Sequence, residues 1–182
     1  IKMKANEDIT FKKIEEVKKI REQRYKEDTP TNSAEVGSIL RAERQLDNIE
    51  TILKKYEQMQ KEDLRYEKIN CDDAQYLIVA YGSSARISQK AVELGRKKGI
   101  KVGLLRPITL FPFPKQPLFE LSNQVKGILS VELSTGQMIE DVKLAVDCKV
   151  PVAHFGRTGG IIHTPEEILE ALEQKIIKNG SN

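Results

Sequence analysis

The feature that most constrains the fold is a six-residue apolar run that ends in a glycine turn. Residues 76–81 read Tyr-Leu-Ile-Val-Ala-Tyr, and a helical pattern begins at the following Gly82-Ser83-Ser84. A short continuous apolar run is typical of a strand buried on both faces of a parallel sheet. The turn leaves the first N–H groups of the helix unpaired, which favours an anionic or polar group there. We therefore expect an α/β protein whose functional groups gather at the carboxyl edge of its sheet.

Further strand, loop and helix units follow along the chain. Strands are predicted at 64–69, 76–81, 101–105, 127–132 and 150–155. Helices are predicted over 84–98, 115–122 and 137–146, and from a capping box at Thr164 onward. The first strand alternates polar and apolar residues, which indicates a sheet edge. A proline-rich loop is expected at 106–114. This succession predicts a three-layer α/β/α sandwich with a mostly parallel sheet.

Composition changes near residue 70. Charged residues make up 31 of the first 70 positions and 26 of the remaining 112. Residues 39–59 predict an amphipathic helix whose apolar seam packs on its own domain or on a neighbouring one. The seam consists of Ile39, Ala42, Leu46, Ile49, Leu53 and Tyr56. A weaker helix is predicted over about 10–26. We divide the chain into a charged helical segment, 1–63, and an α/β domain, 64–182.

Charge and cysteine content exclude several classes of function. The net charge is only +3, and acids alternate with bases, so we expect no nucleic-acid partner. No apolar run is long enough to cross a membrane. Cys71 and Cys148 belong to no metal-binding cluster, and two isolated thiols are typical of a reducing cytoplasm. Because Ile1 is not an initiator methionine, we expect a fragment of a larger protein.

The loops that leave the strands meet at one edge of such a sheet and carry the candidate functional residues. We call this set the interdomain pole: Gly82, Ser83, Ser84, Arg106, Glu132, Gln137 and Arg157. Arg86, Arg106 and Arg157 could receive an acidic ligand or partner at this edge, although such arginines more often bond strand-end carbonyls or Glu132. Glu132 is in turn more often an anchor for helix N–H groups or an arginine than a proton carrier. His154 and His163 have no visible nucleophile or metal partner, so no catalytic residue is predicted.

Four segments, in the same order, resemble the C-terminal domain of the alpha subunit of 2-oxoacid:ferredoxin oxidoreductases. They are residues 76–86, 99–114, 131–142 and 155–160. The resemblance covers about residues 40–178 and is strongest to the 2-oxoisovalerate type, followed by the 2-oxoglutarate type. It implies a fold like the C-terminal domain of transketolase. In that fold a five-stranded sheet has its first strand antiparallel to the others.

The resemblance also implies the chemistry of the whole enzyme. Such an enzyme decarboxylates a 2-oxoacid on thiamine diphosphate and magnesium, passes electrons through iron–sulfur clusters to ferredoxin, and releases an acyl-coenzyme A. This chain has no Gly-Asp-Gly segment for thiamine and only two cysteines. The implied role is structural: the domain holds a preceding pyrimidine-binding domain and the beta and gamma subunits in register. Alone, it would bind no cofactor and have no activity.

Two alternatives stay open at this point. The chain could be the equivalent domain of another thiamine enzyme, which should lack the Gly-Gln-Met-x-Glu-Asp stretch at 136–141. It could instead be a non-enzymatic module that binds an anion or nucleotide at residues 82–84. The motif for the second alternative is weak, because neither G-x-G-x-x-G nor a Walker lysine follows.

Overall fold

The structure is a computed structural model that describes Lys19 and residues 33–178, the side chains of residues 33–41, 43 and 44 excepted. The chain divides into two units, Ile1–Lys54 and Lys55–Asn182. Helix α1 (Ser33–Glu62) contains the seam predicted over 39–59. The helix predicted over 10–26 lies outside the described residues apart from Lys19, which is helical. The domain boundary at residues 63/64 stays a prediction.

The second unit contains one sheet and the helices that cover it. The strands are β1 (Tyr66–Ile69), β2 (Tyr76–Ala80), β3 (Val102–Pro107), β4 (Ile128–Glu132) and β5 (Val152–Gly156). The helices are α2 (Gly82–Lys97), α3 (Lys115–Ser122), α4 (Met138–Ala145) and α5 (Pro165–Leu172), which continues as a π-helical turn, Glu173–Ile177. Among the described residues, every helix is too short or too polar to span a bilayer.

The sheet has five strands in the order β1-β3-β2-β4-β5. Strand β1 runs antiparallel to β3, and the other neighbouring pairs are parallel. The predicted mixed sheet with one antiparallel edge strand is therefore confirmed. Strand β4 is fully buried and β2 is buried except at Tyr76, and both lie inside the sheet, whereas β1 is largely exposed at its edge.

Two separate apolar cores lie on opposite faces of the sheet. Successive side chains of a strand point to opposite faces. In β2, Leu77 and Val79 therefore pack with α3 and α4, and Ile78 and Ala80 pack with α2 and α5. Burying a leucine or isoleucine stabilises the fold by about 1.5–3 kcal/mol. Helix, sheet and helix form the three predicted layers.

Two helix boundaries follow the signals in the sequence. Helix α2 ends before Gly99, whose φ of +82° is the left-handed conformation that favours glycine. At the start of α5, the Thr164 side chain accepts a hydrogen bond from the Glu167 N–H, and the Glu167 carboxylate accepts one from the Thr164 N–H. The predicted capping box is confirmed.

Strand β3 differs from the prediction, because Arg106 and Pro107 belong to the strand and not to the proline-rich loop. Its C-terminal part pairs with the antiparallel β1, with Glu67 opposite Arg106 and Tyr66 opposite Pro107. A proline can occupy the last position of a strand, where it need not donate a ladder hydrogen bond. The edge strand therefore extends β3 beyond its apolar run.

Candidate functional site

Glu132, the last residue of β4, is a fully buried carboxylate with four hydrogen-bond donors. Its Oε2 accepts from the Ser134 hydroxyl at 2.9 Å and from the Met138 N–H at 2.8 Å. Its Oε1 accepts from the Ser130 hydroxyl at 2.9 Å and from the Ile139 N–H at 3.0 Å. Two of these donors are backbone N–H groups in the first turn of α4, which have no acceptor within the helix. The helix dipole there also favours the negative charge. The anchor interpretation of Glu132 is confirmed, with helix N–H groups as its partners.

Both histidines of the chain contact Glu132. The Nε2 of His154 lies 3.7 Å from Glu132 Oε1. The Nε2 of the buried His163 lies 3.0 Å from the Glu132 backbone oxygen, and its ring stacks at 4.8 Å from Phe155. His163 Nδ1 is buried and has no hydrogen-bond partner among the described residues. The topology, not the sequence spacing, brings these groups together, since β5 lies beside β4.

The exit of β5 is closed by an ion pair. Arg157 Nη2 donates to Glu167 Oε1, and the Arg157 N–H donates to the Glu132 backbone oxygen at 3.2 Å. The hydrogen bond from the Thr164 N–H lowers the pKa of the Glu167 carboxyl below its usual value, and the charge of Arg157 contributes in the same direction. Arg157 thus joins α5 to the end of β5, while its Nε is buried without a partner among the described residues.

Gly156, the last residue of β5, lies at a position with no space for a side chain. A Cβ at Gly156 would lie 2.3 Å from the Ser134 backbone oxygen and 2.3 Å from His154 Cε1. Glycine therefore allows the β4 and β5 exits to approach each other closely.

A pocket of about 330 Å³ lies at the exits of β2 and β3. Its lining comes from β1, α2 and β3: Ile69, Gly82, Ser83, Ala85, Arg86, Gln89 and Arg106. Gly82 has a φ of +55°, and its Cβ position is open space. Helix α2 starts at this pocket without a side-chain cap and without an acidic residue in its first turn. Among the lining residues, the charges are two guanidinium groups.

The two arginines of the pocket differ in their partners. Arg106 Nη1 donates to Glu67 Oε2 at 3.0 Å, and both of these side chains are partly exposed. Arg106 Nε is buried and has no partner in the part of the chain that the structure describes. The Arg86 side chain is exposed and makes no hydrogen bond or ion pair with the described residues.

The structure separates the residues of the interdomain pole into two groups. Gly82, Ser83 and Arg106 line the pocket, while Ser84 is buried beneath it in α2. Glu132, Gln137 and Arg157 surround the start of α4 and the exit of β5. Of these, Gln137 is exposed and Glu132 is buried. Their assignment to an interdomain contact stays a prediction.

The predicted interdomain pole contains none of the exposed apolar side chains in the loops that leave β3, β4 and β5. Those most exposed are Ile108, Leu110, Phe111, Leu133, Ile161 and Ile162, of which Ile161 and Ile162 are 60% and 61% exposed. We call these six residues the edge-loop apolar residues. Phe111 also contacts Tyr56 of α1 edge-to-face, with 5.4 Å between the ring centroids. The sequence signal that could have identified these residues is the presence of apolar side chains in loops, since loop residues do not have to be buried in the core.

Metal-binding side chains do not cluster in the described part of the chain, where no group of three or more His, Cys, Asp or Glu residues could hold an ion. Cys71 is buried, and burial raises the pKa of its thiol, whereas Cys148 is exposed. Four cysteine ligands are usual for an iron–sulfur cluster, and the sequence has two cysteines. These residues therefore do not fit a cluster.

Solved structures share this fold, and two of them illustrate the likeness. One is a 2-oxoglutarate:ferredoxin oxidoreductase from Magnetococcus marinus, with a TM-score of 0.51 and 21% identity over 61% of this chain and 19% of that one. The other is a split-gene transketolase, an inactive beta4 tetramer, with a TM-score of 0.53 and 16% identity over 62% of this chain and 41% of that one. Both likenesses concern the fold, and they confirm the predicted transketolase-like architecture.

Sequence relatives add the family. The ketoisovalerate oxidoreductase subunit VorB of Methanothermobacter thermautotrophicus is 43% identical over 120 residues, which are 66% of this chain and 34% of the relative. The 2-oxoglutarate synthase subunit KorA of Methanothermobacter marburgensis is 32% identical over 101 residues, 56% of this chain and 27% of the relative. The chain thus spans about a third of the length of these curated relatives.

Residues 74–168, more than half of the chain, match the family of the pyruvate:ferredoxin oxidoreductase core domain II. The resemblance found in the sequence is thereby confirmed. The chain belongs to this domain family and is homologous to the VorB and KorA subunits of 2-oxoacid:ferredoxin oxidoreductases.

Proposed function

We propose that the chain is the C-terminal interface domain of the alpha subunit of a cytoplasmic 2-oxoacid:ferredoxin oxidoreductase. The whole enzyme would use thiamine diphosphate, magnesium and iron–sulfur clusters to convert a 2-oxoacid, of the branched-chain type, to an acyl-coenzyme A with reduction of ferredoxin. This domain would contact a preceding pyrimidine-binding domain and the beta and gamma subunits. Its own contribution is positioning, because a displacement of about 1 Å can already slow an enzyme about a hundredfold.

The observation that carries this proposal is the exposure of the edge-loop apolar residues in the loops that leave β3, β4 and β5. Contiguous exposed apolar surface is typical of a surface that another protein or domain covers, and the adjacent Ile161 and Ile162 are 60% and 61% exposed. Beneath these loops, Glu132, Gly156 and Arg157 fix the exits of β4 and β5 through buried hydrogen bonds and close packing. A rigid edge with an apolar covering is suited to holding a neighbouring domain at a fixed distance.

The proposal is tested in the assembled oxidoreductase with the double variant Ile161→Ser/Ile162→Ser. We expect weaker assembly of the complex by size-exclusion chromatography and at least a tenfold loss of ferredoxin reduction, because two apolar contacts are lost. The matched control is Leu144→Ser, which removes a 74% exposed leucine near the end of α4, away from the edge. Equal assembly and activity of the double variant and the control would contradict the proposal.

A second test concerns the absence of chemistry in this domain. Isothermal titration calorimetry of the isolated chain with thiamine diphosphate and magnesium should show no binding, since the sequence offers no Gly-Asp-Gly segment. A dissociation constant in the micromolar range would show that the chain holds the cofactor itself. It would then have to be treated as part of the catalytic machinery.

A further inference from the structure

The pocket at the exits of β2 and β3 has an unbalanced charge. Its two arginines face a volume of about 330 Å³, and no carboxylate belongs to its lining. A guanidinium group has five N–H donors and no acceptor. The ion pair with Glu67 uses one nitrogen of Arg106, and Arg86 is bonded to none of the described residues. Hydrogen-bond donors are therefore in excess.

Arg106 Nε is a hydrogen-bond donor that the described residues leave unsatisfied. This nitrogen is buried and has no partner in the described structure, although Arg106 itself lines the pocket. A buried donor without a partner destabilises the folded state. Because solvent does not reach Nε, a ligand in the pocket would meet the exposed end of the Arg106 guanidinium, and a negatively charged ligand would also pair with Arg86.

Size and lining limit the class of ligand. Small-molecule sites usually measure about 300–1,000 Å³, so this pocket lies at the lower limit. Ile69 and Ala85 provide apolar contacts, and Gln89 adds an amide that can donate or accept. Guanidinium groups bind phosphate and carboxylate groups with two parallel hydrogen bonds. We propose that Arg86 and Arg106 form a binding site for the oxyanion group, phosphate or carboxylate, of a small metabolite.

This proposal does not depend on the proposed function, because the site lies within one unit and can be measured on the chain itself. The full chain is titrated by isothermal calorimetry at fixed ionic strength. Inorganic pyrophosphate and succinate serve as the two probes. Binding of pyrophosphate alone supports a phosphate ligand, binding of succinate alone supports a carboxylate ligand, and binding of both supports the shared oxyanion chemistry.

Variants then locate the bound probe. Arg86→Gln and Arg106→Gln should each weaken binding at least tenfold, because a hydrogen bond to a charged group contributes about 1.5–3 kcal/mol. The matched control is Arg65→Gln, which removes the same charge from an exposed arginine outside the pocket lining. We expect its dissociation constant to stay within twofold of the parent value. No binding of either probe at 10 mM, or equal weakening by all three variants, would overturn the proposal.

Glu67→Gln separates a loss of binding from a disturbed sheet edge. This variant removes the ion pair with Arg106 but leaves the guanidinium in place, so we expect unchanged or tighter binding. If Glu67→Gln weakened binding as much as Arg106→Gln, the loss would come from the β1–β3 edge and the role of Arg106 would be refuted. Circular dichroism of each variant checks that the sheet is retained.

Discussion

Helices α2 and α4 begin at the same edge of one sheet but have opposite surroundings. The first N–H groups of α4 donate to Glu132, a carboxylate that the protein supplies and buries. The start of α2 has no side-chain cap and no acidic residue, and it opens on a pocket with two arginines. A helix start that receives an internal anion becomes part of the framework. A helix start without one leaves positive potential available to something outside the chain.

The largest effect is expected from Glu132→Gln, which removes the buried carboxylate at the start of α4. The amide nitrogen would face N–H donors, so at least one buried hydrogen bond is replaced by a repulsive contact. We expect the free energy of unfolding to fall by about 3 kcal/mol, measured by urea denaturation. The control Glu140→Gln changes a well exposed acid of α4 and should cost less than about 0.5 kcal/mol. Equal stability of the two variants would mean that Glu132 is not the anchor of α4.

A smaller loss is expected from Gly156→Ala, which tests the close approach of the β4 and β5 exits. The new Cβ would meet the Ser134 backbone oxygen at 2.3 Å, so the backbone must move. We expect a loss of about 1–3 kcal/mol in thermal or urea unfolding. Thr158→Ala, at an exposed position two residues later, should leave the unfolding midpoint nearly unchanged. A fully stable Gly156→Ala variant would show that the two exits are less tightly packed.

The pH dependence of the free energy of unfolding should distinguish Glu167 from Glu166. The pKa of Glu167 is lowered in the folded state by the Thr164 N–H and then by Arg157, so its contribution is present above the unfolded pKa and is lost as pH falls through the folded pKa. Glu167→Gln should therefore flatten the acid side of the stability profile, below about pH 4.3. Glu166→Gln, which removes an exposed acid without a hydrogen bond in the described chain, should keep the parent slope. Identical slopes would contradict the assignment.

The smallest effect is expected from Ser83→Asp. This variant places a carboxylate at the start of α2, as Glu132 does at the start of α4. Ser83 is exposed near the start of the helix, so we expect a gain of about 0.3–1 kcal/mol at low salt that declines as salt is added. Ser83→Asn, similar in size but uncharged, should lack the salt-dependent gain. Ser83→Asp should also weaken oxyanion binding, and a variant with unchanged affinity would place the ligand elsewhere.

Much of the fold could be predicted because its signals are local. The apolar run at 76–81, the Thr164 capping box and the alternation at 64–69 each specify an element from neighbouring residues. The end of β3 could not be predicted in this way. Arg106 and Pro107 become strand residues only because β1, distant in sequence, lies beside them.

The candidate site was less predictable, since its contacts cross between strands. The donors to Glu132 could be anticipated, because α4 begins a few residues later. The approach of His154 and His163 to Glu132 depends on β5 lying beside β4, and the pairing of Arg157 with Glu167 depends on where α5 packs. Spacing along the chain contains little information about such contacts.

The sheet order also has a consequence for how the chain is made. Among the described strands, β1 pairs with β3 alone, and both β2 and α2 lie between them in sequence. During synthesis, at about 5–20 residues per second, β1 leaves the ribosome seconds before β3 has been synthesised. Its charged and polar residues, Glu67 and Lys68 among them, keep the waiting segment hydrated and poorly suited to pairing with another nascent chain.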